Sequence, residues 1–290
     1  RWAGALGNTL RVSMCSSATA FSSNLTSTSS VTANATSAGA TTINVTGTAT
    51  TNLYVGDLVS FDSGTTYLRT TAVNATAIVV ATAVGSAITV GSPILRKWQY
   101  ADNFGVAPGT SDFVSNKGGS NDEMHVIVID EDGKFTGTAN TVLEKYAFVS
   151  KASDAINNDA STNYYKNVIN SQSRYVWWMG HQPGSSSWGT AAAGTTYTNP
   201  NTAFSASMSA GADGTIGNTE VIAAYNKMAN PDSIDISLIV SGPGNATVAA
   251  SLITLAETRK DAMVFLSPTK SSVVNNAGSE SSAVISFRDS

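Results

Sequence analysis

SIDISLIVSGPGNATVAASLITLAETRKDAMVFLSP, residues 233–268, decides the fold class. SIDISLIVSG is an apolar, β-branched run bounded by turn residues, which reads as a buried strand. GPGN is a tight turn, and ATVAASLITLAETRKD has the period of a helix burying Val248, Leu252, Leu255 and Ala256. AMVFLSP is the next strand. Strand, helix and strand at this spacing predict a right-handed crossover between parallel strands, and so an α/β core.

The same grammar extends upstream. NTEVIAAYNKMANP (218–231) reads as a helix capped by Asn218 or Thr219, with Val221, Tyr225 and Met228 on one face and Asn230-Pro231 as its stop. DEMHVIVIDEDGKF (122–135) gives a buried strand at Val126 to Ile129 and an acidic turn ending at Asp132-Gly133; TVLEKYAFVS (141–150) is its return. STNYYKNVINSQS (161–173) reads as a helix capped by Ser161 or Thr162, with Tyr164, Val168 and Ile169 near one face. RYVWWMGH (174–181) reads as a strand with Trp177 and Trp178 on opposite faces, a seam of the core rather than a ligand-stacking platform. The glycine-, serine- and threonine-rich residues 180–214 are expected to form a projecting or mobile loop.

At the other end, GNTLRVSMCS (7–16) is a Gly7-Asn8 turn feeding a strand with alternating Leu10, Val12 and Met14. Residues 21–95 differ in texture: rich in threonine and alanine, nearly free of charge, with short β signals and no helix period. They predict a small all-β domain inserted into the rest. The expected organisation is a first core strand in residues 1–20, the insertion in 21–95 and the α/β (α+β) core, with a mixed sheet and packed helices, in 96–290.

Composition narrows the function. Charged residues are 12% of the 290, about half the usual share. A net charge of −4 without any basic cluster excludes nucleic acid as the main partner. Cys15 stands alone, which excludes an intrachain disulfide and a thiolate metal cluster and predicts a buried thiol. No apolar run reaches the roughly 18 residues that span a bilayer. The chain opens on Arg1 with no signal peptide, as expected of a processed product or a piece of something longer.

Three motifs invite chemistry, and each has a plainer reading. In SGPGNATVAA, Thr247 stands where a dinucleotide fingerprint wants a third glycine, and the following strand ends without an acid, so a crossover turn is preferred. In DEDGK, Phe135 and Thr141 occupy the sixth and twelfth positions of a would-be calcium loop, so a hairpin turn is preferred. His125 and His181 lack sequence partners for a triad or a zinc site and are read as structural. No catalytic, cofactor-binding or metal-binding residue is assigned.

One ordered set of segments remains. GNTLRV, VIDEDGKFTGTANTVLEKYAFVSKASDA, NYYKNVINSQSRYV, GADGTIGNTEVIAAYNKM and SLIVSGPGNATVAASLITLAETRKDAMVFLSP together resemble the tail sheath proteins of contractile-tailed bacteriophages, over about residues 1–15 and 98–290. The structural motif positions that the resemblance singles out are Gly7, Asn8, Asp132, Gly133, Gly211, Asp213, Gly214 and Arg259. It implies a non-enzymatic virion part without cofactor. Such subunits stack as hexameric rings around a tail tube and contract to drive it through the host envelope. The implied partners are further copies of the chain, the tail tube protein, and the baseplate and tail terminator proteins, with no membrane insertion; assembly would take place in the host cytoplasm. The family's N-terminal arm and C-terminal region are not found here, and Trp2 lies several residues before the Gly-Asn it usually adjoins. The resemblance makes the insertion an outward-facing decoration. Acidic Asp130 to Asp132 and basic Lys145, Lys151, Arg259 and Lys260 become candidates for charge pairs between subunits, with solvated surface as the plainer reading. The alternatives are a β-rich virion adhesin working through residues 21–95 and, third, a nucleotide-binding enzyme using Gly242 to Thr247.

Overall fold

The computed structural model describes residues 1–25, 35–46, 49–182 and 185–289. The chain divides into two compact units, Arg1–Asp213 and Gly214–Ser290. It is an α+β protein, with three sheets among the described residues. Chain order gives β1 (Leu10–Cys15), α1 (Ala18–Phe21), β2 (Ser22–Asn24), β3 (Thr42–Asn44), β4 (Leu58–Ser60), β5 (Leu68–Asn74), β6 (Ala77–Val80) and β7 (Leu95–Lys97). Then come α2 (Asp112–Ser115), β8 (Glu123–Asp130), β9 (Thr141–Ser150), α3 (Tyr165–Gln172) and β10 (Phe204–Ser207). The second unit holds α4 (Asn218–Asn226), β11 (Leu238–Pro243), α5 (Ala246–Arg259), β12 (Met263–Ser267), α6 (Lys270–Val273) and α7 (Glu280–Arg288).

The central sheet of the first unit has the order β10-β1-β8-β9 and is antiparallel throughout. Strand β8 is buried from Met124 to Asp130, so both its faces must be covered. Its alternation divides the core in two. Met124, Val126 and Val128 join Leu10, Met14 and the α3 residues Val168 and Ile169 on one side; Ile127 and Ile129 join Cys15, Phe21 and Trp98 on the other. Each such fully buried side chain contributes about 1.5–3 kcal/mol. The pairing of β8 with β9 slips twice, and Phe148 in the slipped stretch takes φ 53°. Its N–H donates to His125 Nδ1 at 3.1 Å while His125 Nε2 donates to the Val106 carbonyl at 2.8 Å. Burial lowers the His125 pKa, with the Val106 carbonyl opposing. The ring, stacked on Phe104 at 4.3 Å, is a neutral bracket for the bulge.

Two expectations fail beside this sheet. The segment after α3 bends at Arg174, Tyr175 and Gly180 and forms no ladder. The Asn170 side chain takes the place of a neighbouring strand, accepting from Trp178 N at 2.6 Å and donating to Trp178 O at 3.0 Å. Residues 180–214, expected to project, instead include Trp188, Ala192 and Tyr197 in the core and β10 on the sheet edge. Only residues 183–184 of that stretch lie outside the described residues. The α3 helix also begins later than expected, because Ser161 is held by Asp159 in its own turn, N to Oδ1 at 3.0 Å. Tyr164 is thus the cap rather than a helical residue.

Strands β2 to β7 make a separate six-stranded sheet, order β2-β7-β4-β5-β6-β3, around a core of its own that includes Ile43, Val59, Ile78 and Ile94. β2 and β7 lie side by side, so the chain leaves the central sheet and returns at nearly one point, where Trp98 N donates to Phe21 O at 2.8 Å. A buried ion pair sits beside that junction. Arg96 Nε meets Asp57 Oδ2 at 2.9 Å with the residues 1% and 3% exposed, and Arg96 Nη1 donates to Ala20 O at 2.7 Å. Burial raises the Asp57 pKa and Arg96 opposes the rise.

In the second unit the strand–helix–strand crossover is present, but the strand expected to be buried is covered on one side only: Ile239 is buried while Leu238 and Val240 are exposed, and Ala256 is only half-buried. β11 and β12 pair in parallel across α5, which buries Val248, Leu252 and Leu255 against Ile239. The parallel pairing therefore occupies its own two-stranded sheet instead of joining the antiparallel one. β11 starts at Leu238, not Ser233, because the preceding residues turn back, with Ser233 N donating to Asn230 O. α4 ends at Asn226, before the proline stop, in a tight turn closed by Met228 N donating to Tyr225 O at 2.9 Å.

Lys151, a candidate for contacts between subunits, is fully buried. Its Nζ donates to the carbonyls of Ser16 at 2.8 Å, Asn121 at 3.0 Å and Glu123 at 2.5 Å, joining the ends of β1, β8 and β9. Burial pushes its pKa down to about 7, against the pull of Asp122, Cys15 and Glu123. Below pH 7 the folded chain bears the whole cost of burying the charge. As pH rises toward 10.5, the ordinary lysine value, the folded state gives up its proton before the unfolded state does and the cost is relieved. The unfolding free energy is expected to climb between pH 7 and 9, by up to about 1 kcal/mol per pH unit, and Lys151→Met to lose that climb in denaturant titrations. Above pH 9 the Cys15 thiol, pushed up to about 12 by burial, acts in the opposite direction. Asp57→Ala, which strands the Arg96 charge, is expected to cost about 3–5 kcal/mol by the same measurement.

Candidate functional site

The eight motif positions fall into four places. Gly7, Asn8, Gly211 and Asp213, about two hundred residues apart in sequence, meet at one end of the central sheet. Asn8 Nδ2 donates to Gly211 O and Gly211 N donates to Asn8 Oδ1, both at 2.8 Å. One side-chain amide thus reads both backbone groups of one residue, as Asn170 does at Trp178. Asp213 Oδ1 accepts from Ala5 N at 2.8 Å. Glycine is required by space: a Cβ on Gly211 would lie 2.2 Å from Gly4 O, and one on Gly7 would lie 2.4 Å from Trp2 O. The knot sits just beyond the β1–β10 ladder, where Met208 N also donates to Leu10 O at 2.8 Å.

Asp132 and Gly133 lie in the loop joining β8 to β9. Gly133 takes φ 72°, and a Cβ there would lie 2.7 Å from Ala139 N. The organising residue is Asp130, not the exposed Asp132. Its carboxylate accepts from the N–H groups of Lys134, Phe135 and Thr136 and from the Thr136 hydroxyl, at 2.8–3.0 Å. Burial works to raise its pKa, but these hydrogen bonds outweigh it and hold the carboxyl below its usual range. The acidic loop is a hairpin connection, as read.

Arg259 lies in the second unit, 6% exposed. Its guanidinium grips Asp261 at 2.9 and 2.8 Å and donates to the carbonyls of Ile234, at 2.9 Å, and Met228. Gly214 stands in open space, with nothing within 4 Å of an added Cβ. Asp130, Lys151 and Arg259 are therefore consumed inside the chain, which corrects their candidacy for charge pairs between subunits. Lys145 donates to Asn103 O at 3.1 Å.

The aromatic run divides in the same way. Tyr165 is fully buried within an edge-on ring of Tyr164, Trp178 and Trp188, centroids 5.0–5.8 Å away, and its hydroxyl shares a hydrogen bond with His181 Nδ1. Trp177 is 53% exposed beneath the Arg1 guanidinium, 3.5 Å from the ring centroid. Its partial exposure and Trp178's inward packing keep the expected opposition of faces without the expected strand. Among the described residues no group of three or more His, Cys, Asp or Glu side chains is placed to hold a metal ion. None of their helices is long and apolar enough to cross a membrane.

The comparisons with known proteins give one direction. No family model matches the chain, and no solved structure matches it. Residues over a span of 154 are 25% identical to the tail sheath protein of Salmonella phage ViI. The likeness is to a sheath. It covers 53% of this chain and 21% of that protein, so the aligned span is about a fifth of the relative's length.

The knot separates two motif glycines that look alike in sequence. Asn8→Ala is expected to lower stability by about 1–3 kcal/mol through the two unpaired groups of Gly211. Gly211→Ala is expected to cost at least as much, by forcing Gly4 and Asn8 away. Gly214→Ala should stay within about 0.5 kcal/mol of wild type. Thermal unfolding of the three variants reads the order directly.

Proposed function

We propose that this chain is a structural subunit of a contractile phage tail sheath. In this reading copies assemble as stacked six-fold rings around a tail tube, between baseplate and tail terminator, and shorten to drive the tube through the host envelope. The observation that carries it is the 25% identity over 154 residues to a phage tail sheath protein. The Asn8–Gly211 knot supports it, since two segments quoted for the family resemblance are each other's hydrogen-bond partners. The internal use of Asp130, Lys151 and Arg259 suits a part whose charges hold its own fold. The insertion expected over residues 21–95 would then be an outward-facing decoration on a sheath core. No nucleotide or metal enters the mechanism: work is released as a high-energy packing of subunits relaxes.

Immunogold electron microscopy of the particle that contains the chain tests this. Gold along the full length of the tail wall, with a repeat that shortens after triggering, is expected. Gold confined to fibre tips or to a head would overturn the sheath reading in favour of a virion adhesin.

A further inference from the structure

The parallel sheet of the second unit has one uncovered face. Leu238 and Val240 on β11 are 57% and 65% exposed, and Met263 and Phe265 on β12 are 63% and 51% exposed. Register places them as direct neighbours, Leu238 beside Met263 and Val240 beside Phe265, in one four-residue apolar square. The alternate residues Ile239, Val264 and Leu266 face the other way, into the core under α5. Neither strand contains a charged residue. Parallel sheets are normally covered on both faces, and exposed strands normally carry charges that discourage pairing. This one has neither protection.

Size and shape point to what covers it. The four side chains present on the order of 450 Å² of apolar surface, the size of a functional patch but short of the roughly 800 Å² per partner of a free-standing dimer. Between α5 and α7 of the same unit lies a hollow of about 340 Å³, lined by Ala246, Ala249, Ala250, Ile253, Val284 and Phe287, with Leu266, Pro268 and the Arg288 cation also on its wall. A unit with an exposed apolar sheet face and a separate, mostly apolar hollow between its helices is suited to head-to-tail association. Such contacts do not close on themselves and generate rings or helical arrays. Weak single contacts repeated in such an array are consistent with the area.

We propose that the β11–β12 face of one copy seats Met263 and Phe265 in the α5–α7 hollow of the next copy. The proposal deepens the sheath reading and rests on it, because the partner is a second copy in the assembled array.

The test uses the full chain. Arrays of wild type are first sought by electron microscopy; a wild type that forms none overturns the sheath reading and this contact with it. Given arrays, a Phe265→Cys, Ala250→Cys variant is expected to yield a ladder of disulfide-linked multimers when oxidised in the array and none as dilute monomer. The native Cys15 is buried and does not compete. Phe265→Asp is expected to keep the wild-type melting temperature within a few degrees while losing assembly. Wild-type arrays without a ladder, or normal assembly of Phe265→Asp, would overturn the contact and leave the sheath reading standing. So would a collapse of the Phe265→Asp melting temperature, which would place the cover of this face within the same chain.

Discussion

The central sheet of the first unit depends on the capture of β1 between β8 and β10. β1 is six residues long, and its two partners come from positions more than a hundred residues downstream. Closing such loops costs conformational entropy before any contact rewards it. The return comes from burial on both sides: Leu10 and Met14 enter one core, Cys15 the other, and Ser13 Oγ accepts from Trp98 Nε1 at 3.0 Å between them. The Asn8–Gly211 knot keeps β10 from fraying, and Lys151 ties the opposite end through three carbonyls. Polar ties at both ends, half-buried at Asn8 and fully buried at Lys151, hold the register of the sheet.

The insertion fits this constraint. Because β2 and β7 are adjacent, six strands can be threaded between β1 and β8 without pulling the central sheet apart. The buried Arg96–Asp57 pair, with Arg96 also holding the Ala20 carbonyl, stiffens the junction at the expense of desolvating two charges. The second unit is built differently, by a local strand–helix–strand, and has four buried residues in its apolar cluster. One face of its parallel sheet is left exposed at Leu238, Val240, Met263 and Phe265.

Local patterns made much of this legible. The crossover could be read because α5 and its flanking strands bury one contiguous set of residues at strand and helix periods. β8 and β9 were equally plain, being long and apolar or β-branched. Pairing across distance was not. β10, FSAS, carries only one large apolar side chain and becomes a strand because β1 and the knot hold it. RYVWWMGH has strand composition but finds an asparagine side chain where a neighbouring strand was expected. Lys151, Arg96 and Asp57 gave no signal, since a buried charge and a solvated one are spelled alike. The motif glycines were legible as a set, but their separate reasons were not: Gly211 answers to the Gly4 carbonyl and Gly214 to nothing nearby.

The likeness to a phage tail sheath protein and the knot that joins two of the resembling segments support the proposed sheath role. The most direct measurement is a cryo-electron microscopy map of the native particle, at a resolution that traces side chains. The expected result is the β10-β1-β8-β9 sheet repeated in six-fold rings along the tail wall, with Asn8 against Gly211 in every copy. A map that places this chain outside any repeating wall, as a lone projection from the virion, would contradict the sheath reading.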